Sequence, residues 1–336
     1  MKEVPENGGF PGDRFLFQGK AVSMDEKRNP IPNRIFLTRT MTARKSEIHM
    51  HSIFSDGEFA PAELIGIGKQ NGVGIMALTD HDTFAGLPEF MDAAKDSGIF
   101  AFPGIEITVQ YRNFNLHLLS YFKSLESVLS ALWNRVEKMK EAREERMHEL
   151  IAKINEVIPE RFRGAVTFDN VKKASEGVLA RPHLAREMVR LGIVKTTNEA
   201  FDKYLVKYNI EKENLQIAEA LSMVRESKGV PVIAHPGERT YSLYNPEKGR
   251  KQEDVPGMME ELKAQGLLGL ECIYPRHEKT GKVQYFLDLA DEYGMIPTGS
   301  RDFHGFTSYQ TTDLLGTTKM DDSFLPRFQE VWNSSP

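Results

Sequence analysis

The stretches His49-Met50-His51-Ser52, Ser55-Asp56-Gly57 and Leu78-Thr79-Asp80-His81-Asp82-Thr83 decide how this 336-residue chain folds. Along a β-strand, residues i and i+2 point to one face, so His49 and His51 can converge on a single ion. Asp56 follows in the loop beyond that strand end, and Asp80-His81-Asp82 closes the next apolar run, Ile75–Thr79. Placing reactive side chains at successive strand ends is the habit of barrels whose loops build the site. Further along, the same signal returns in Gly104-Ile105-Glu106, in His117 within Leu116–Tyr121, in Ala234-His235-Pro236-Gly237 and in Asp302-Phe303-His304-Gly305. Taken singly, each is weak: Asp80 or Asp302 alone reads as a turn or helix cap, and a lone strand-end histidine as a hydrogen-bonded structural residue. Jointly they carry weight, because six of the nine histidines fall at or beside predicted strand ends.

Between these stretches the pattern is helical. Pro61–Gln70 opens on proline and closes before Gly72, and Phe84–Ser97 follows. Strand-like Phe100–Phe102, Ile105–Gln110 and Leu116–Tyr121 complete a strand–helix alternation that predicts an α/β fold with a parallel or mixed sheet. From Leu125 to about Ile217 strands vanish. Ser130–Val157 reads as one long amphipathic helix with a solvated Glu–Lys–Arg face, and Phe168–Ala174, Arg181–Leu191 and Asn198–Leu205 as shorter ones. Strands return at Val230–Ala234, Leu267–Tyr274 and Met295–Thr298, with helices at Gly257–Gln265 and Thr280–Glu292. The expected organisation is an N-terminal extension over 1–45, with one short strand at Arg34–Thr40. A discontinuous sheet domain then covers 46–124 and 225–320, with a helical insertion at 125–224 and a C-terminal tail at 321–336.

Composition narrows the class. With 43 Lys+Arg against 48 Asp+Glu the net charge is −5, which disfavours general binding to a long nucleic-acid track. At 40% hydrophobic and 27% charged the chain is neither disordered nor fibrous. No apolar run reaches the ~18 residues of a membrane span. Met1–Lys20 lacks the apolar stretch of a secretory signal, and the single Cys272 excludes an intrachain disulfide framework. A reducing, cytoplasmic setting is expected.

Mixed imidazole and carboxylate ligands suit Zn, Mn or Fe, and the lack of thiolate ligands weighs against a structural zinc site. Six histidines with Asp56, Glu106 and Asp302 make nine candidate ligands, more than one four-coordinate ion uses. Two or three adjacent divalent ions are therefore expected, an arrangement suited to phosphoester hydrolysis.

The motif His49–Gly57, with Pro61-Ala62-Glu63-Leu64, Asp80-His81-Asp82-Thr83 and Gly86-Leu87, resembles the opening of the PHP (polymerase and histidinol phosphatase) family. Gly104-Ile105-Glu106, Ala234-His235-Pro236-Gly237 and Asp302-Phe303-His304-Gly305 are similar to its later motifs, in the same order. The resemblance covers roughly 46–320. It implies a distorted (β/α)7 barrel with a helical cap and a trinuclear metal site. By position, one ion would take His49, His51, Glu106 and Asp302, a second Asp56, His81 and His304, and a third Glu106, His117 and His235, with Glu106 bridging. Asp80 and Asp82 would support these ligands. One departure stands out: the family usually reads Gly-Ser-Asp before the final Phe-His, whereas here it is Ser300-Arg301-Asp302, so Arg301 either adds a cation beside the ions or points outward.

The insertion resembles the branch holding 3′,5′-nucleotide bisphosphate phosphatases and 5′→3′ exoribonucleases, through Arg143-Glu144-Glu145-Arg146, Ala180–Arg186 and Ala200–Leu205. Arg143, Arg181 and His183 are the expected contacts to substrate phosphate, since guanidinium offers paired donors and Arg181 opens a helix. His277 is a candidate phosphate contact or leaving-group acid, while His148 reads as exposed. The expected substrate is a small phosphorylated molecule, a nucleotide or a short oligonucleotide. The expected reaction is removal of a 3′-phosphate by a hydroxide held between the ions. Cyclic phosphodiesterase, short-RNA exonuclease and histidinol-phosphate phosphatase activities are the enzymatic alternatives, and a non-catalytic metal-binding module is the other.

Overall fold

The computed structural model describes residues 44–173, 178–210, 215–306 and 315–334. The expected strand at Arg34–Thr40, and nearly all of the expected N-terminal extension, lie outside the described residues.

Seven strands form one continuous path. They are β1 (Lys45–Glu47), β2 (Val73–Leu78), β3 (Phe100–Tyr111), β4 (Phe114–Tyr121), β6 (Val230–Ile233), β7 (Gly269–Ile273) and β8 (Ile296–Gly299). The short β5 (Leu215–Gln216) pairs with β3 off this path. Pairing is parallel from β1 to β3 and from β6 to β8, as strands buried on both faces by crossover helices require. The exception is β4, which runs antiparallel to both β3 and β6. A tight turn at Arg112, in the left-handed region at φ 54°, folds it back as a hairpin. The path closes on itself where the Met50 region meets Phe303: His51 N–H donates to Phe303 O at 2.8 Å and Phe303 N–H to His49 O at 3.2 Å.

Helices α1 (Pro61–Gln70) and α2 (Leu87–Ala94) pack outside the sheet, their apolar faces joining a core with Met76, Leu78 and Ile107. The 28-residue α3 (Ser130–Val157) serves two cores. Its Leu132, Val136 and Met139 belong to the barrel core, whereas Met147, Leu150, Ile151 and Ile154 belong to a separate one. That second core gathers Val171 of α4 (Phe168–Lys172), Leu184, Ala185 and Met188 of α5 (Arg181–Arg190), Ala200 of α6 (Thr197–Ala200), and Leu205.

Three departures from the sequence reading have plain causes. The helix expected over Thr280–Glu292 begins only at Val283, as α10 (Val283–Glu292), because Gly281 at φ 64° ends a separate short helix, α9 (Pro275–Thr280), just before it. The expected insertion ends early: β5 pairs with β3, and α7 (Ile217–Glu226) buries Ala220, Leu221 and Val224 in the barrel core. The expected C-terminal tail contains α11 (Leu325–Asn333), which follows α8 (Val255–Ala264), α9 and α10 in the chain. Phe328 and Trp332 of α11, with Phe324 before it, pack on Phe102 and Tyr121, and the Trp332 indole donates to Tyr121 O at 3.2 Å. Phe328→Ala, which empties a fully buried ring site, is expected to lower stability by about 3–5 kcal/mol in a urea or thermal melt.

Candidate metal centre

The parallel strands carry the site at their C-terminal ends, as the sequence pattern predicts. Past β1 the chain presents His49 and His51; past β2, His81; and past β6 and β8, His235 and the pair Asp302–His304. Glu106 lies midway along the unusually long β3, where Glu106 N–H donates to Asp80 O and Asp82 N–H to Glu106 O. His117 depends on the reversed β4. Because that strand runs backward, a residue near its start, in register with Thr108, lies at the end of the barrel where the other strands finish.

Glu106 is fully buried at the centre. Its Oε2 lies 3.2 Å from His49 Nε2, 3.2 Å from His51 Nε2 and 3.1 Å from His81 Nδ1. Its Oε1 lies 2.9 Å from His117 Nδ1 and 3.0 Å from His235 Nε2. Asp302 Oδ1 faces His49 and His51 at 3.2 and 3.0 Å, and Asp56 Oδ1 faces His304 Nε2 at 3.2 Å. The nine ligand candidates are thus brought together. Eight of them supply ligand atoms to three groups, each within 4.8 Å: His49, His51, Glu106 and Asp302; His51, Asp56, His81 and His304; and His81, Glu106 and His117. This differs from the allocation implied by resemblance in placing His81 rather than His235 in the third group, and His51 also in the second.

These residues fit divalent ions. Among the described residues, His49 Nε2, Asp56 Oδ1, His81 Nδ1, Glu106 Oε2, His117 Nδ1, His235 Nδ1 and His304 Nε2 are buried without a hydrogen-bond partner. Orphaned polar atoms are costly in an interior, and a cluster of imidazole and carboxylate donors all facing inward is what an ion satisfies. In the metal-free protein the carboxylates must instead be balanced by imidazolium. Burial presses the His51 pKa down, but Asp302 and Glu106 outweigh it and carry it up to about 10. Burial likewise raises the Glu106 carboxyl, yet the surrounding histidines hold it well below its ordinary value.

The side chains behind these ligands fix their aim. His49 Nδ1 pairs with Glu271 Oε1 at 3.0 Å, and Glu271 Oε2 accepts from His235 N–H at 2.7 Å, so one carboxylate orients two ligands. Tyr274 donates to Asp302 Oδ2 at 3.3 Å. Asp80 accepts from Ser52 N–H, Ser52 Oγ and Ser55 Oγ, each at 2.7 Å, and ties down the loop that carries Asp56. Gly57 is required there, because a Cβ would fall 2.2 Å from His51 O. His235 at φ 27° and Asp302 at φ 52° hold strained backbone, of order 1–3 kcal/mol each.

Among the expected substrate contacts, Arg143 reaches the barrel: it donates to Asp82 and to Thr108 Oγ1 at 2.7 Å. Arg181 donates to Asn209 Oδ1 at 3.2 Å and lies over the Phe201 ring. His183 is buried, with Nδ1 accepting from Ala180 N–H at 3.0 Å, and burial lowers its pKa to about 4. It braces the start of α5 rather than facing open space. His277 differs most from expectation. It too is buried; its Nδ1 donates to Cys272 O at 2.9 Å and its Nε2 accepts from Gly237 N–H at 3.0 Å. With both nitrogens bound to backbone and burial holding its pKa at about 4, it has no proton to give a leaving group. Arg301 is buried and turned to Glu278 at 2.7 Å and Thr317 O at 2.8 Å, so its charge is neutralised away from the ligands. His148 is exposed and stacks on Phe168.

Sequence reasoning missed Glu271, Tyr274, Arg146 and Tyr241. Only Glu271 left a signal, a carboxylate inside the apolar run Leu267–Tyr274. Arg146, half-buried on α3, has no hydrogen-bond or ion-pair partner among the described residues. Burial and the nearby Arg143 and Arg181 guanidiniums lower its pKa.

A barrel that turns six imidazoles and three carboxylates inward from its strand ends defines a metal-dependent hydrolase. A family model described as the PHP domain matches residues 47–205. The chain is 32% identical over 198 residues to a 5′-3′ exoribonuclease of Haemophilus influenzae, covering 57% of this chain and 69% of that protein. It is 28% identical over 263 residues to a 3′,5′-nucleoside bisphosphate phosphatase of Chromobacterium violaceum, covering 77% and 86%. Among solved structures, a candidate metal-dependent phosphoesterase from Bifidobacterium adolescentis shares the fold with a TM-score of 0.73 at 24% identity, over 87% of this chain and 98% of that one. The chain belongs to the PHP family, and it is a metal-dependent phosphoesterase with that family's distorted (β/α)7 barrel. Among the described residues, no helix is long and apolar enough to cross a membrane.

Glu106→Gln is expected to keep the fold by circular dichroism and to lose most bound metal by elemental analysis, since it removes the charge that the ligand groups share. His277 sets a pH dependence. Its pKa is about 4 folded against 6.5 unfolded, so its contribution is complete above pH 6.5 and is lost as pH falls toward 4. His183, depressed to about 4 in the same way, adds its own loss over this range, so in melts of the chelated protein between pH 7 and 4 His277→Gln should shrink the total loss by about 3 kcal/mol rather than abolish it.

Proposed function

We propose that the chain removes the 3′-phosphate from a 3′,5′-nucleotide bisphosphate, using two or three divalent ions held by His49, His51, Asp56, His81, Glu106, His117, His235, Asp302 and His304. The observation that carries this is the cation cluster beside the centre. Arg143 and Arg146, i and i+3 on α3, share a face, Arg181 is close enough to lower the Arg146 pKa, and the neighbouring acid Asp82 is already paired with Arg143. A substrate with two phosphates needs two anion sites, one at the ligand cluster and one beyond it. The relative named as a bisphosphate phosphatase, matched over 86% of its length, supports the same reading.

When bound, the ions supply an activated water at neutral pH and neutralise charge on the reacting phosphate. The chain's residues do the rest. Glu106 and Asp302 hold the ligand histidines in one orientation, Glu271 fixes the His49 ring, and Arg146 offers a guanidinium, unpaired among the described residues, whose donors match phosphate oxygens. The insertion is braced on the ligand loop by Val178 N–H to Phe54 O at 2.8 Å and by Arg186 to Asp56 O at 3.0 Å, which fixes the arginines relative to the centre.

The 32% identity to an exoribonuclease favours one alternative, a short 5′-phosphorylated RNA in which the following phosphodiester is cut. The test is product analysis with manganese- or zinc-loaded protein. Adenosine 3′,5′-bisphosphate should yield AMP and inorganic phosphate faster than a 5′-phosphorylated dinucleotide yields mononucleotides. The reverse order would favour the exonuclease, and no turnover of either would overturn both. Arg146→Ala should lower kcat/KM for the bisphosphate by about 100-fold, the loss of a charge-assisted contact.

A further inference from the structure

Tyr241 is built into the edge of the metal centre. Its ring lies flat on that of His117, with centroids 4.0 Å apart and planes 16° from parallel. The segment that carries it leaves the strained His235 and is tied at each step. Gly237 N–H donates to the buried His277, Tyr244 N–H donates to Pro236 O at 2.9 Å, and Ser242 Oγ bonds both Glu238 O and Tyr244 O. Arg250 clamps the far side through Ser242 O at 3.2 Å and Thr240 O at 3.4 Å. A Cβ at Gly237 would fall 2.8 Å from His277 Nε2, so the loop is seated against that imidazole. This web holds the loop in place, and Tyr241 lies within it, stacked on His117.

The phenol is also an electrostatic neighbour of Arg146, the half-buried guanidinium that has no partner among the described residues, on the helix that crosses from barrel to insertion. Tyr241 therefore spans the interval between a ligand imidazole and the cation cluster. A phenol there adds one neutral O–H donor next to a guanidinium, a combination that suits a phosphate oxygen and leaves the net charge of the pocket unchanged.

We infer that Tyr241 is a substrate-positioning residue, whose hydroxyl donates a hydrogen bond to the phosphate that Arg146 binds and whose ring holds His117 from above. This rests on reading the arginine cluster as a phosphate site. Tyr241→Phe keeps the stacked ring and removes only the donor, while Tyr241→Leu removes both. For the metal-loaded Tyr241→Phe protein, metal content and melting temperature should match wild type. Inorganic phosphate should bind about 10-fold more weakly by calorimetry, and KM for adenosine 3′,5′-bisphosphate should rise by a similar factor with kcat within about two-fold. Tyr241→Leu should in addition lose metal. Wild-type phosphate affinity in Tyr241→Phe would overturn the inference, as would loss of metal from that variant, which would make the hydroxyl a support of the ligands. The phosphate titration needs no turnover. If wild type fails to hydrolyse the bisphosphate while Tyr241→Phe still weakens phosphate binding, the substrate assignment falls and the role of Tyr241 stands.

Discussion

The structure depends on one buried carboxylate. Glu106 has no exposed surface and faces five histidine nitrogens at 2.9–3.2 Å. An isolated carboxylate in such a place would take up a proton, because desolvating the charged form costs several kcal/mol. The imidazoles keep it ionised, and each imidazole in turn needs the carboxylate or an ion to justify its own burial. The five histidines come from the ends of β1, β2 and β6 and from β4. A single side chain on β3 thus sets the electrostatic condition that the loops around the barrel must meet together. That mutual dependence is why the ligands converge from so many elements: no subset satisfies the donors and acceptors of the rest.

Convergence imposes demands on the backbone. The barrel closes where His49 and His51 exchange hydrogen bonds with Phe303, so the ligand loops and the closing seam are the same stretch of chain. Left-handed backbone at Asp82, His235 and Asp302 aims side chains that regular strand ends would misdirect. The reversed β4 is a further device of this kind. A parallel strand in its place would carry a residue at His117's position to the opposite end of the barrel.

The fold class and the candidate ligands were legible in the chain because both rest on local periodicity. His49 and His51, or Asp302 and His304, advertise a common face by spacing alone, and apolar runs before them mark the strands. Features that depend on tertiary placement left no such trace. The short link at Arg112-Asn113 obliges β4 to run backward, since a parallel crossover needs about a dozen residues or more, but it does not announce that His117 thereby reaches the site. His277 looks in sequence like any loop histidine after a strand, and only the structure shows both of its nitrogens bound to backbone. Arg146 resembles the other charges on α3, although the packing of Met139 below and Met147 above brings that level of the helix to the join between two cores. Arg301 departs from the family pattern in sequence but is paired off with Glu278, so the departure does not reach the ligands.

The same helix explains how a separate core comes to serve the site. α3 is 28 residues long, about 42 Å, and it is buried at one end in the barrel and at the other in the insertion. A rigid beam anchored twice holds its middle in place more firmly than a loop could, and its middle is where Arg143 and Arg146 lie. Arg143 bonds to Asp82 and Thr108 of the barrel, which fixes the rotation of the helix about its own axis. With that rotation fixed, Arg146 one turn on faces the same side, and among the described residues it has no hydrogen-bond or ion-pair partner. The net charge of −5 is then no obstacle to an anionic substrate, because the field that matters over a Debye length of about 8 Å is set by these few guanidiniums.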